Sequence, residues 1–201
     1  MLTNLENKLK FIELMDEMKN IERAIFLKNW RQETNAEHSY HLAMMVLTFA
    51  SDFPDLNIEL CLKFALIHDI VEIYAWDTIA LDKKMELTKT EREAKAVNIL
   101  EKEYNDILPD FINLLKEYEL KNLKEARFVY SLDKIQPIIQ VVMEWWETWH
   151  NWKIDFEEIK KRQYSKIYRE FWLDKILDIY FEKAEKEKIF YNKKDSKVKS
   201  F

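Results

Sequence analysis

Apolar residues recur along most of the chain at intervals of three or four positions, which is the period of an amphipathic α-helix. The first stripe consists of Leu5, Leu9, Ile12 and Met15, and it breaks near Lys19. No run shows the strict alternation of apolar and polar residues that marks a half-buried strand. The pattern therefore predicts an all-α domain.

Capping and helix-breaking residues divide this pattern into separate helices. Thr34 or Asn35 can cap the second helix, and Glu37 suits its N-terminal dipole. The run from Thr90 to Glu93 opens the fourth helix in the style of a capping box. The predicted helices cover residues 5–18, 36–51, 58–74, 90–108, 108–118, 120–150 and 155–186.

Glycine is absent from the chain. A P-loop, a GxGxxG dinucleotide-binding turn and a GxSxG nucleophile elbow all need glycine, so these three enzyme classes are excluded. Any phosphate must instead be bound by side chains and a metal ion. The absence of glycine, together with only three prolines, also favours long helices with caps drawn from Asn, Asp and Ser.

Length and composition indicate one domain with a sizeable core, since 48% of the 201 residues are hydrophobic. We expect residues 1–187 to form this domain and the lysine-rich residues 188–201 to form a frayed tail. The formal charge of -5, with both signs interspersed, does not indicate a general nucleic-acid-binding surface. No segment resembles a signal peptide or a membrane span, and the single Cys61 predicts a buried thiol in a reducing compartment, the cytoplasm.

Candidate chemistry lies on helices that are otherwise apolar. Asp69 stands beside His68 in an apolar run, and Asp133 interrupts another, where a lone buried carboxylate is costly unless a cation or several donors accompany it. Nitrogen and oxygen ligands, with His38 as the second imidazole, suit a divalent transition ion, and Glu72 lies one turn beyond to act on water. Two alternatives remain: a lone histidine is often structural, and Asp133 can simply pair with a nearby Lys or Arg.

These residues resemble the H…HD…D signature of the HD-domain metal-dependent phosphohydrolases, formed here by His38, the pair His68 and Asp69, and the remote Asp133. The similarity is to the 5′-deoxynucleotidase branch and runs from about residue 9 to 150. The segments that carry it are residues 21–23, 31–39 and 66–78. The resemblance implies a single helical bundle of about six to eight helices and a metal-dependent phosphohydrolase.

The resemblance also implies a role for each matching residue. One divalent ion, Mn, Co, Fe or Mg, would be held by His38, His68, Asp69 and Asp133. Glu72 would orient or deprotonate the attacking water, and Arg23 would neutralise charge on the phosphate. The implied substrate is a nucleoside 5′-monophosphate, and a homodimer is implied as well.

The sugar pocket departs from the family pattern at two positions. Asp77 would accept a hydrogen bond from the sugar 3′-hydroxyl, but Trp76 precedes it where the branch usually has glycine. Ala24 follows Arg23, where the bacterial deoxynucleotidase has a tryptophan that screens against ribose. We therefore expect hydrolysis of the phosphomonoester with altered discrimination between deoxyribose and ribose, and with Trp76 beside the sugar.

Two other functions remain open at this stage. Other HD proteins hydrolyse deoxynucleoside triphosphates and release triphosphate, and a non-catalytic nucleotide-binding helical protein would keep the same fold. The tryptophan-rich segment 145–152 can stack on a base, but its helical spacing favours core packing or a subunit contact. Neither nucleic acid nor a membrane is an expected partner.

Overall fold

The computed structural model describes residues 2–75, 83–104, 107, 110–144, 153 and 155–189. Within them the chain is mainly helical, so the predicted all-α class is confirmed. The helices are α1 Leu2–Asp16, α2 Asn35–Phe49, α3 Ile58–Ile67, α4 Glu72–Ala75, α5 Lys83–Tyr104, α6 Phe111–Leu120, α7 Lys124–Glu144, α8 Phe156–Tyr164 and α9 Asp174–Lys186. Short 3₁₀ turns cover Glu17–Lys19 and Ala50–Asp52. None of the described helices has the length and hydrophobicity needed to cross a membrane.

Two short strands were not predicted from the pattern. Strand β1 covers Glu22–Phe26 and strand β2 covers Gln32–Thr34, and they pair as a two-stranded sheet. A tight turn connects them, in which Trp30 adopts a positive φ of 68°. Strands of five and three residues are too short for an alternating pattern to stand out, so the pattern does not reveal this small sheet within the all-α domain.

The third predicted helix, 58–74, is interrupted where the candidate ligands lie. Helix α3 ends at Ile67, and the amides of Ile70 and Glu72 bond to carbonyls three residues back rather than four. The helical prediction failed because Ile70 and Val71 are buried and continue the apolar period through the turn. The tighter path places His68 and Asp69 outside regular helix.

Other helix limits also differ from the predictions. Helix α5 begins at Lys83, before the predicted capping box at Thr90. The last predicted helix, 155–186, is two helices, α8 and α9, separated by turns over residues 165–173. Helix α2 starts as predicted, with Thr34 as its N-cap in a capping box with Glu37. The segment 145–152 lies outside the described residues.

The chain forms two compact units. The first comprises residues 1–24 and 33–129, and in it α2 packs along α3. Its core includes Phe11, Leu100 and Phe111. Cys61 is fully buried there, as predicted, and burial raises the pKa of its thiol to about 12.

The second unit comprises residues 25–32 and 130–201. Helices α8 and α9 pack together, with the rings of Phe156 and Phe181 in an edge contact at 5.8 Å. Ser131 on α7 accepts a hydrogen bond from the backbone amide of Tyr168 at 3.1 Å. The structure describes the C-terminal segment as far as Ile189, which is buried.

Lysines occupy helix ends where glycine is usual. After α9, the amide of Lys188 bonds to the carbonyl of Glu185 and the amide of Ile189 bonds to that of Ala184, which together form a Schellman motif. Lys188 adopts a φ of 54°, and Lys121 after α6 likewise has a φ of 54°. The prediction that Asn, Asp and Ser would supply the caps therefore fails at these two C-terminal ends.

Replacing Lys188 with glycine is expected to stabilise the protein by about 0.5–1 kcal/mol. The left-handed conformation is strained for a residue with a Cβ, and glycine relieves that strain while keeping both backbone hydrogen bonds. Urea denaturation measures the change in the free energy of unfolding. Lys188→Ala is the matched control, since it keeps a Cβ and should leave stability near that of the parent chain.

Candidate metal centre and active site

His38, His68 and Asp69 come together in the first unit. Each offers one ligand atom, and these atoms lie within 4.8 Å of one another. The distance from Asp69 Oδ2 is 3.2 Å to His68 Nε2 and 3.8 Å to His38 Nε2. Two imidazole nitrogens thus converge on one carboxylate oxygen.

Local structure explains how these side chains meet. The capping box of Thr34 and Glu37 starts α2 immediately before His38, which is fully buried. The packing of α2 against α3 brings this histidine to the turn that follows α3. The 3₁₀ geometry of that turn supplies His68 and Asp69 from consecutive positions.

The ring orientation of His68 is set by the backbone. Its Nδ1 lies 3.1 Å from the carbonyl oxygen of Ala65, and a carbonyl oxygen can only accept, so Nδ1 is the donor. In neutral imidazole the lone pair is then on Nε2, the atom that faces Asp69. A backbone carbonyl that fixes the tautomer in this way is common behind metal-binding histidines.

Arg23 on β1 brings a positive charge next to the cluster of His38, His68 and Asp69. Its Nη1 lies 3.2 Å from Asp69 Oδ2, and its Nε lies 3.2 Å from Glu33 Oε2. Glu33 is 2% exposed and Arg23 is 13% exposed, so both charges are largely removed from water. The guanidinium of Arg23 therefore lies between the carboxylates of Glu33 and Asp69.

The carboxyl group of Asp69 is held ionised by its surroundings. Burial raises its pKa, but the neighbouring His68, His38 and Arg23 lower it by more, so the pKa lies well below its usual range. An ionised carboxylate accepts without donating, which is the form that binds a cation.

Glu72 is buried and is the first residue of the one-turn helix α4. The side-chain amide of Asn35, which is also fully buried, donates a hydrogen bond to Glu72 Oε2. The sequence indicates Asn35 only as a candidate N-cap of α2, and it does not single out Glu33. A signal existed, because both polar residues fall within five positions before His38, in a segment that leads into an apolar helix.

Asp133 has a described ion-pair partner. It lies on α7 in the second unit, where it is buried and its Oδ2 is 2.6 Å from Lys134 Nζ. This is the ion pair considered as an alternative, and a role as fourth ligand stays a prediction. Trp76 and Asp77 lie outside the described residues.

The donor set fits a divalent metal ion. Two imidazole nitrogens and an ionised carboxylate oxygen are ligands that Mn, Fe and Co share, and three protein ligands in a cluster leave positions for water and substrate. The chemistry of these atoms therefore matches the predicted metal site.

Comparisons with known proteins agree with this geometry. A family model described as an HD domain matches residues 15–173. The chain is 32% identical to the 5′-deoxynucleotidase HDDC2 of Danio rerio over 68% of each chain. It is 30% identical to the human protein of that name, over 66% of this chain and 65% of the relative.

Solved structures give the same result. A protein from Magnetospirillum magnetotacticum described as a predicted metal-dependent phosphohydrolase has a TM-score of 0.79 and 28% identity. That match covers 93% of this chain and 98% of the other. With the family model, the relatives and the His-Asp cluster in agreement, the chain belongs to the HD domain family.

Proposed function

We propose that the protein is a metal-dependent 5′-deoxynucleotidase, which hydrolyses deoxynucleoside 5′-monophosphates to a nucleoside and orthophosphate. The observation that carries this proposal is the convergence of His38, His68 and Asp69, with Arg23 on the same carboxylate. The curated relatives named 5′-deoxynucleotidase support the choice of substrate class.

One divalent ion, Mn, Co, Fe or Mg, would be held by His38, His68, Asp69 and Asp133. Bound there, it would supply positive charge to a phosphoryl oxygen and make a water molecule more acidic. The described contacts support the first three ligands, and the burial of Asp133 in α7 is consistent with the fourth.

The remaining residues would act on the phosphate and on water. Arg23, held through its Nε by Glu33, would place its guanidinium beside the phosphate and offset charge that develops in the transition state. Glu72 would accept the proton of the attacking water. Asp77 would accept a hydrogen bond from the 3′-hydroxyl of the sugar, and Trp76 would border the sugar.

The test is the release of orthophosphate from a panel of nucleoside mono-, di- and triphosphates with Mn²⁺, Co²⁺ or Mg²⁺. Monophosphates are expected to be hydrolysed, with deoxyribose and ribose forms compared directly because of Ala24 and Trp76. No turnover of any monophosphate with any metal would contradict the proposal. Tripolyphosphate as the product would identify a triphosphate hydrolase, and nucleotide binding without turnover would identify a non-catalytic protein.

A homodimer in the cytoplasm is part of this proposal. One face of α2 carries Tyr40, Met44 and Leu47 at helical spacing, and these side chains are 68%, 43% and 52% exposed. An apolar stripe of this kind supports a contact between subunits. Sedimentation equilibrium measures the mass of the assembly and tests this part directly.

A further inference from the structure

Among the described residues, the only hydrogen bond of the buried Asn35 side-chain amide is to the carboxylate of Glu72. An ionised carboxylate can only accept hydrogen bonds, so the atom that faces it must be the NH₂ group of the amide. The other amide atom, Oδ1, is buried and accepts no hydrogen bond from any described residue. A buried acceptor without a partner costs free energy.

Asn35 is not needed to cap α2. Thr34 is the N-cap, and its hydroxyl accepts from the amide of Glu37. The backbone amide of Asn35 bonds to the carbonyl of Ile21, which any residue with an N–H would do. The side chain of Asn35 therefore has one described task, which is its bond to Glu72.

Glu72 begins a helix that offers little rigidity of its own. Helix α4 has four residues, and a single helical turn is only marginally stable. Asn35 instead belongs to the 15-residue helix α2, one turn before His38. Its hydrogen bond links the carboxylate of Glu72 to the helix that carries a candidate metal ligand.

We propose that Asn35 is a positioning residue, which fixes the orientation of the Glu72 carboxylate relative to the cluster of His38, His68 and Asp69. This inference rests on the proposed function, in which Glu72 accepts a proton from water. Hydrogen bonds to charged groups are stronger than those between neutral groups, and losing one at a reacting base lowers the rate.

The first measurement compares kinetics of the full-length metal-loaded protein and Asn35→Leu, which keeps the branched shape and removes the donor. We expect kcat to fall at least about tenfold, with KM and metal content within twofold of the parent protein. Asn57→Ala is the matched control, because it removes an asparagine cap at the start of α3 and lowers stability without touching the site. Asn35→Ala gives the same comparison if the leucine variant does not fold.

The second measurement asks whether Asn35 acts through Glu72. In a Glu72→Ala background, Asn35→Leu should change the residual kcat by less than twofold. An unchanged kcat for Asn35→Leu alone would overturn the inference. So would an equal loss in both backgrounds, because Asn35 would then act by another route.

A third measurement does not depend on activity. Urea midpoints are compared for the parent, Asn35→Leu, Glu72→Ala and the double variant. The double variant should lose less than the sum of the two single losses, and strict additivity would overturn the inference. If the parent protein hydrolyses no monophosphate, the proposed function fails separately, and this cycle still decides whether the two side chains are coupled.

Discussion

Glu72→Gln is expected to lower kcat for deoxynucleoside monophosphate hydrolysis by about 10²–10⁴-fold. The substitution keeps the size of the side chain and an oxygen that can accept from Asn35, but removes the basic carboxylate. Because Glu72 is not in the ligand cluster of the described residues, the bound metal should remain. Steady-state kinetics and elemental analysis of the purified variant measure the two effects.

The control for this variant is Glu91→Gln. Glu91 is exposed on α5, and its carboxylate pairs with Lys95 at 2.7 Å. This change removes the same charge from the protein, so kcat should stay close to that of the parent. Full activity of Glu72→Gln would remove Glu72 from the mechanism, and loss of metal would assign it to the ligand set instead.

The candidate metal ligands could be predicted from residue type, but the turn that carries two of them could not. His68 and Asp69 stand out because a charged pair in an apolar run is costly without a partner. The break after Ile67 gives no such signal, since Ile70 and Val71 keep the helical period through the turn. Hydrogen bonds to carbonyls three residues back, rather than four, are not visible in an apolar pattern.

The residues that contact Arg23 and Glu72 also cannot be identified from the pattern of neighbouring residues in the sequence. Glu33 and Asn35 lie next to Thr34, and sequence reasoning favours a helix cap for polar residues in such positions. Their partners, Arg23 and Glu72, are 10 and 37 residues away along the chain. Only the folded chain brings Glu33 beside Arg23 and Asn35 beside Glu72.

For Asp133, the family pattern and the described contacts support different roles. The family pattern assigns it to the metal, whereas its described neighbour is Lys134, whose ammonium also lies 5.0 Å from the ring of Tyr130. These two roles predict different results for two variants. A metal ligand is needed to bind the ion whether or not Lys134 is present. A simple ion pair exists only while both of its partners are present.

Asp133→Asn is expected to weaken divalent metal binding by at least about 100-fold and to lower kcat at limiting metal in proportion. Mutating a residue that only supports a metal ligand already lowers metal affinity by about 10–100-fold, and this substitution removes a charged ligand itself. Isothermal titration with Mn²⁺ measures the affinity. The exposed Asp55→Asn, which loses a surface pair with Lys124, should bind metal like the parent protein.

Lys134→Met completes the comparison, because it removes the ion pair and leaves the carboxylate of Asp133 in place. If Asp133 is a ligand, this variant keeps its metal affinity, since the oxygen that binds the ion is still present. If the pair with Lys134 is the whole role of Asp133, neither variant loses metal, and Lys134→Met is the less stable of the two because it leaves a buried carboxylate without its lysine partner. Unchanged Mn²⁺ affinity in Asp133→Asn would therefore restrict the metal site to His38, His68 and Asp69.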